Sequence, residues 1–544
     1  MLNSESKKTI LTGIFLVFLF TLLLYVSAGK LLNRSIEHSF PYGYLASDPF
    51  FHQTRTQGIK DMGSYSTQPF YTAAGFDDVI GAYPPLMSHL AIIFSGTAGL
   101  EIYDGIYLLV FLLVVFSALL MYITIEKYSQ PVAVLASSLS VFLFSKGLYV
   151  PLTWGNWPAI LGSFFIIAIL WALTSLELKN SYILIAILFT GAALGHTSEL
   201  VFILMAITLW LGAELLIQRK LLKDSIKALF KGGTIAVILS SYYLLIFYKV
   251  WVPAEQQKLF HVFRPEMWGT PYFTLSAFGW TLLLIALGLI IAFAPVKNSK
   301  LTFLSFALVI LGFANWIGMD FRALQLRFFW PLYLSWFFGL GAYFIVRLIT
   351  KSKAFLVSMA VSAVFLIIFA STVPNVQTNP GLMLSQEHWD SFMWFKGNTP
   401  LNSSVLFFYG DGYNQNSILR NTGRVPYQAN MNSMTKMIYT GNVSRYMLIK
   451  VIGNDGTRLP YRKGLFSYGF HAVEGFQEEI ERDICGFDYY VIDTKTGFES
   501  MLPFIQFNLF LRNSFLANNM SEVYSNSIVS ILMNNAKGGG CFGA

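Results

Sequence analysis

Long apolar runs separated by short polar loops fill the first 374 residues, and beyond Pro374 the pattern breaks into short alternating stretches. The runs lie near 9–28, 103–125, 131–147, 157–176, 181–196, 198–217, 232–251, 272–294, 301–318, 328–349 and 354–373. Each approaches the ~20 apolar residues a helix needs to cross the hydrocarbon core. They predict about 11 spans. Lys7 and Lys8 precede the first, whose length fits a retained signal anchor better than a cleaved leader. The runs around 181–217 are parted only by G-H-T-S-E and predict a tight helical hairpin. The stretch A-Y-P-P-L-M-S-H-L-A-I-I-F is short for a crossing, so it reads as an interfacial or re-entrant helix started by Pro84 and Pro85. In the last part, S-V-L-F-F-Y, D-Y-Y-V-I-D and S-I-V-S-I-L-M alternate as strands do. Q-E-H-W-D-S-F-M-W-F-K predicts an amphipathic helix with Trp389 and Phe392 on one face. The expected architecture is a polytopic α-helical membrane domain over 1–374, with a long first outer loop at 30–102. A soluble, extracytoplasmic mixed α/β domain over 375–544 follows it.

Charge sets the orientation. With the N-terminus inside, the short inner segments carry 14 Lys and Arg and the short outer loops 6. This bias places the N-terminus in the cytoplasm, and an odd number of spans places the C-terminal domain outside. Counting the 85–98 segment as a crossing would invert every later loop and reverse the bias. The composition, 55% hydrophobic and 12% charged, is that of an integral membrane protein rather than a soluble one. The net charge of +8 lies wholly in the membrane part, since residues 375–544 hold 13 basic and 13 acidic side chains. That charge meets lipid headgroups, and no nucleic-acid partner is expected. Cys485 and Cys541 give neither a disulfide framework nor metal-ligand spacing, and they read as a pair of thiols, with a single disulfide between them as the alternative.

This topology gathers the chemistry on one side. The outer face receives Asp48, His52 and Arg55 from the first loop, then Trp154, Asn156 and Trp157, then His196 and Glu199. Further on come Glu255, His261, Arg264 and Glu266, then Asp320, Arg322 and Arg327, then the C-terminal domain. Carboxylate, imidazole and guanidinium groups at a membrane boundary suit chemistry on a lipid-borne phosphate. Arg grips phosphate oxygens with two parallel bonds, and a carboxylate serves as a general base or holds a divalent cation. Plainer roles compete. Asp48 could cap a helix over 50–62 and bond locally to His52; Glu199 could cap a turn. Trp154 and Trp157 could anchor at the interface, and Arg327 could anchor a span entrance. Sequons at Asn33, Asn402, Asn442 and Asn519 fall on the same outer side.

The stretch D-P-F-F-H-Q-T-R-T-Q-G-I-K-D-M-G resembles the first outer loop of the oligosaccharyltransferase catalytic subunit. There a D-P-aromatic-aromatic segment opens the loop and its Asp serves the catalytic centre. Y-P-P-L is similar to related lipid-linked sugar transferases, and L-R-F-F-W-P-L-Y-L-S-W-F-F-G-L-G resembles the family's late span. W-D-S-F-M-W-F-K-G-N-T-P-L-N-S-S-V-L-F-F-Y-G-D-G-Y resembles the start of its C-terminal domain, which leads to an acceptor-binding W-W-D-Y-G. The resemblance implies a GT-C glycosyltransferase with a polyisoprenyl-phosphate or pyrophosphate sugar donor, a protein or glycan acceptor, and inversion at the anomeric carbon. Asp48 becomes the catalytic or metal-binding carboxylate, and Glu199 a second candidate ligand for Mn or Mg. Arg327 contacts the lipid phosphate with Arg322 and Arg264, beside His52, Arg55 and His196; Asp411 and Tyr413 receive the acceptor. The sequence also departs from the pattern. Arg55 stands one position late, the second outer loop Y-V-P-L-T-W-G-N-W-P carries no acid, and F-F-Y-G-D-G-Y replaces the acceptor motif. Two other classes compete: a transporter or flippase of lipid-linked or polar substrates, and a non-catalytic envelope binding protein. Against transport, the spans are nearly free of charge and show no repeat.

Overall fold

The computed structural model describes residues 4–32, 34–65, 68–73, 75, 79–81, 83–145, 149–196, 199–219, 223–246, 277–294, 298–313, 329–350, 354–375, 385–408, 420–451, 456–458, 471–472, 479–496, 499–535 and 541. In chain order the first elements are α1 (Ser4–Val26), α2 (Ser47–Met62), β1 (Val79–Gly81), α3 (Leu86–Ala98), α4 (Ile102–Glu126), α5 (Gln130–Ser138), α6 (Val150–Trp154) and α7 (Trp157–Leu173). There follow α8 (Ser181–Gly195), α9 (Glu199–Ala213), α10 (Lys223–Ile246), α11 (Thr281–Ala292), α12 (Ser299–Phe313), α13 (Trp330–Thr350) and α14 (Ala354–Thr372). Every apolar run of the sequence therefore contains a helix. Six are long and apolar enough to cross a membrane: Ser6–Lys30, Ile102–Glu126, Glu199–Gln218, Lys223–Ile246, Trp330–Thr350 and Ala354–Thr372. Shorter apolar helices of 10–17 residues among the described residues are Leu86–Ala98, Gln130–Phe144, Trp157–Leu173, Ser181–Gly195, Thr281–Ala292 and Ser299–Phe313.

Helices apolar on every side gain little by turning one face inward, so close packing at small residues decides their neighbours. Gly288 of α11 lies on the Phe337 carbonyl of α13, and Gly341 of α13 lies on the Leu284 carbonyl of α11. Gly339, two residues before, admits α5 at Val132 and Ala136. Gly232 of α10 rests on Tyr182 and Ile185 of α8 in the same way. That contact explains a departure from the expected hairpin. α8 runs along α10 and α7, while α9 runs along α12 and α7.

The Lys30 ammonium donates to the carbonyls of Ala370 (2.9 Å) and Val373 (2.8 Å) at the end of α14. A cation suits the free carbonyls and negative dipole end of a helix. It also ties the outgoing ends of α1 and α14 together, so the first loop and the C-terminal domain share one face of the bundle.

The C-terminal elements are α15 (Gln386–Asn398), β2 (Ser404–Phe408), β3 (Val425–Ala429), α16 (Met431–Thr440), β4 (Tyr446–Val451), β5 (Gly456–Arg458), β6 (His471–Ala472), β7 (Glu479–Asp483), β8 (Tyr489–Asp493), α17 (Leu502–Ala517), β9 (Met520–Ser525) and β10 (Val529–Asn534). Seven strands form a sheet in the order β7-β4-β3-β2-β8-β10-β9, with β2 parallel to both β3 and β8 and the other pairs antiparallel. Alternation along each strand sends Phe407, Val491 and Ile531 to one face, where they meet Phe392 and Phe395 and continue the core of the helical bundle. Leu406, Phe408, Ile492 and Leu532 face the other way, onto Leu511 and Phe515 of α17. A second sheet, β1-β5-β6, hydrogen-bonds the first loop directly to the C-terminal domain.

Cys485 and Cys541 form a disulfide, which corrects the reading of two thiols. Their pairing follows from the sheet rather than from spacing. Asn534, at the end of β10, donates to the carbonyls of Cys485 (2.9 Å) and Phe487 (3.0 Å) and so brings the chain's tail beside Cys485.

Arg424 ties α15 to this sheet. Only 3% exposed, it donates to Thr399 Oγ1 (2.8 Å), the Thr399 carbonyl (2.6 Å) and the Gly423 carbonyl (2.9 Å). Arg424→Met leaves these acceptors buried without a donor, and each such group costs about 1 kcal/mol or more. We expect a loss of roughly 2–4 kcal/mol, read as a lower melting temperature of the purified protein in detergent. An unchanged melt would refute the role.

Candidate active site

The helix α2 begins at Ser47, after Ala46 in extended conformation, so Asp48 sits inside the first turn instead of capping a helix from 50. Pro49 explains the early start, because its fixed φ and missing N–H suit a first turn. The spacing of Asp48, His52 and Arg55 puts all three on one side of the helix. Exposure falls along that side: Asp48 is exposed, whereas His52 and Arg55 are 8% and 7% exposed. The helix dipole favours an anionic Asp48 at this end.

His52 is packed beside the rings of Tyr83 (5.4 Å) and Trp157 (6.0 Å). Burial, with the nearby charges of Arg55 and His196, lowers its pKa to about 3. It is therefore a neutral hydrogen-bonding group at physiological pH, not a cation. A histidine held neutral in the fold favours unfolding as pH falls from its free value near 6.5 toward 3, because the unfolded chain takes up the proton first. The slope is at most about 1.4 kcal/mol per pH unit. Melting curves between pH 7 and 5 should fall less steeply for His52→Gln than for wild type; equal slopes would rule this out.

The Arg55 guanidinium lies over Phe51 (4.9 Å) and Tyr83 (4.8 Å), and Arg420 of the C-terminal domain lies over the same Phe51 (5.6 Å). Arg55, Tyr65, Gln68 and Tyr83 line a small pocket under the first loop. Two arginines from distant parts of the chain thus meet at one ring.

The segment 149–156 packs against the start of α2. Leu45 donates to the Thr153 carbonyl at 3.0 Å, and Gly155, with φ +87°, lies directly against the Asp48–Pro49 peptide. Trp157 is fully buried, donates to the Leu152 carbonyl at 2.7 Å and meets Tyr44 edge-on, so it is core rather than an interfacial anchor. Trp154 is 42% exposed. Asn156 stands at the N-cap of α7 without a side-chain capping bond.

His196 ends α8 and Glu199 opens α9, with His196 Nδ1 and Glu199 Oε2 2.5 Å apart. Glu199 is 0% exposed, and its carboxylate rests against Gly162 of α7. Tyr333 of α13 lies within its electrostatic reach. The structure thus brings together Asp48, His52, Arg55, His196 and Glu199 through α2, the start of α7 and the α8–α9 turn. Arg264, Arg322, Arg327, Asp411 and Tyr413 lie outside the described residues, as do Glu255, His261, Glu266 and Asp320. At the carboxyl end of β2, Asn508 bridges the carbonyls of Phe408 (3.0 Å) and Asp493 (3.1 Å). Among the described residues, no three His, Cys, Asp or Glu side chains gather to hold a cation, so Asp48 and Glu199 do not form a metal cage by themselves.

An apolar helix bundle, a long loop after its first helix, and an α/β domain joined to that loop by a strand make up the fold. Solved structures share it. ArnT from Cupriavidus metallidurans bound to undecaprenyl phosphate superposes with TM-score 0.56 at 10% identity, over 100% of both chains. The archaeal oligosaccharyltransferase AglB from Archaeoglobus fulgidus, with an inhibitory peptide and a dolichol-phosphate, matches with TM-score 0.53 at 13% identity. That match covers 77% of this chain and 64% of AglB, so the chain spans less than two thirds of AglB's length. The Archaeoglobus fulgidus enzyme in complex with Zn and sulfate matches with TM-score 0.50 at 14% identity, over 76% and 62% of the two chains. No protein-family model matches the sequence, and no curated protein does.

Three residues at the site carried no sequence signal of function: Gly155, Gly162 and Arg420, whereas Tyr83 stood in the Y-P-P-L motif. Only Gly155, within W-G-N-W, stood in a turn-like context that could have marked it.

Proposed function

We propose that this chain is an integral membrane glycosyltransferase that moves a sugar or glycan from a polyisoprenyl-phosphate or pyrophosphate donor to an extracytoplasmic acceptor. The observation that carries the reading is the exposed Asp48 carboxylate on α2, one turn from His52, which lies within electrostatic reach of the Glu199-bonded His196, in a fold similar to that of ArnT. In this reading the acceptor's oxygen or nitrogen attacks the anomeric carbon and gives its proton to Asp48. The bond from that carbon to the lipid phosphate breaks, and the phosphate leaves with the electron pair. Arg55 meets its charge, with Arg264, Arg322 and Arg327 assigned the same task from the sequence. Neutral His52 contributes a hydrogen bond without adding charge to the site. The acceptor, protein or glycan, is assigned to the segment with Asp411 and Tyr413.

A divalent cation, Mn or Mg, would neutralise the leaving phosphate; the described residues do not complete a site for one, and no step here runs through it. The cytoplasmic N-terminus and extracytoplasmic C-terminal domain are part of the same proposal. The Cys485–Cys541 disulfide supports them, since such bonds persist in oxidising compartments. The test is transfer in purified membranes from labelled polyprenyl-linked sugars, with and without a chelator. Transfer by wild type is the expected result; no transfer from any donor pool would overturn the reading. Uptake of the same lipids across the membrane without transfer would favour the transporter class instead.

A further inference from the structure

Two acidic residues from distant parts of the chain come to rest on one short segment, 154–162: Asp48 by its backbone and Glu199 by its side chain. We propose that this segment is the template that fixes Asp48 relative to Glu199, with Gly155 and Gly162 as its positioning residues. The inference rests on the glycosyltransferase reading.

Gly155 has φ +87°, a conformation that L side chains rarely adopt. A Cβ there would also lie 2.6 Å from Pro49 Cδ and 2.7 Å from the carbonyl carbon of Asp48. These atoms are backbone and ring, so the first turn of α2 must shift if the glycine gains a side chain. The loop cannot slide away freely, because Leu45 is bonded to Thr153 just before it. At the other end, a Cβ on Gly162 would lie 2.7 Å from both Cγ and Oε1 of Glu199, whose side chain is fully buried. The second outer loop carries no acid of its own. In this chain it contributes through backbone shape: one glycine seats the peptide that bears Asp48, the other seats the carboxylate of Glu199. The spacing of the two acids is then set by the rigid start of α7.

Three variants separate this role from ordinary packing. Gly155→Ala and Gly162→Ala should each lower kcat at least tenfold while the donor KM stays within threefold. Gly63→Ala is the control for strain alone: Gly63 ends α2 with φ +64° and nothing within 4 Å, so transfer should stay within twofold of wild type. Adding Glu199→Asp to Gly162→Ala withdraws the carboxylate by one methylene and should recover at least threefold of the lost kcat. A second readout needs no substrate: labelling of Asp48 by a water-soluble carbodiimide, followed by mass spectrometry, should change at least threefold in Gly155→Ala and not in Gly63→Ala. Wild-type-like kcat in Gly155→Ala, no recovery in the double variant, or unchanged Asp48 labelling would each overturn the template. If wild type transfers no sugar, the glycosyltransferase reading fails, and the labelling result still decides the template.

Discussion

Asp48→Asn should reduce sugar transfer by about a thousandfold, within the range of 10²–10⁴ that a positioned general base contributes. The substitution keeps the shape of the side chain and removes its charge and its capacity to take a proton. Because Asp48 is exposed at the N-terminal end of α2, the exchange should cost no more than about 1 kcal/mol of stability, the size of a helix-dipole interaction at the surface. Loss of activity without loss of folding is therefore the expected signature. The measurement is the initial rate of transfer from a labelled polyprenyl-linked donor, paired with a melting curve of the same preparation. Glu199→Gln makes the contrast. That carboxylate is buried and bonded to His196, so its replacement should move both the rate and the melt. If Asp48→Asn retained a tenth of wild-type activity, proton uptake would have to be placed elsewhere on the rim.

The difference between the two acids was not legible in the sequence. D-P-F-F-H-Q-T-R announced a polar loop with a carboxylate, an imidazole and a guanidinium at helical spacing, and the helix is there. Its charge states were not announced. His52 is neutral because Tyr83 and Trp157 bury it, and those residues approach it from a later part of the first loop and from α7. Apolar runs revealed the helices because crossing a membrane is a demand on each segment alone. The expected strands over S-V-L-F-F-Y, D-Y-Y-V-I-D and S-I-V-S-I-L-M are β2, β8 and β10, again because alternation is local. Long-range partners were hidden for the opposite reason. Nothing in V-I-G predicts that Val79–Gly81 pairs with Gly456–Arg458, and nothing in two cysteines predicts that β10 returns one to the other. The divergence of α8 from α9 depends on Gly232, a residue of a third helix.

Glycine also carries the second large prediction. Gly341→Leu should prevent the bundle from reaching its folded state, or lower its stability by about 3 kcal/mol or more, the upper end for overpacking a close-packed interior. A Cβ at 341 would collide with the Leu284 carbonyl and lie 2.9 Å from its carbonyl carbon; a Cβ at Gly288 would meet Phe337 in the mirror relation. The obstacle on each side is helix backbone, which cannot rotate aside as a side chain does, so α11 and α13 must separate along their length. Separation exposes no new polar surface to lipid, yet it forfeits the dispersion contacts that hold membrane helices together when lipid competes for the same apolar faces. Gly212→Leu is the matched control, since Gly212 in α9 has nothing within 4 Å and leucine there meets lipid or solvent only. Comparing the folded yield and melting temperature of the two variants in one detergent removes the general effect of adding a leucine to a membrane helix. A Gly341→Leu melt within a degree of Gly212→Leu would show that the α11–α13 contact is looser than the structure places it. A large loss should also silence transfer, because α13 carries Tyr333 to the side of Glu199 and begins directly after the segment with Arg322 and Arg327.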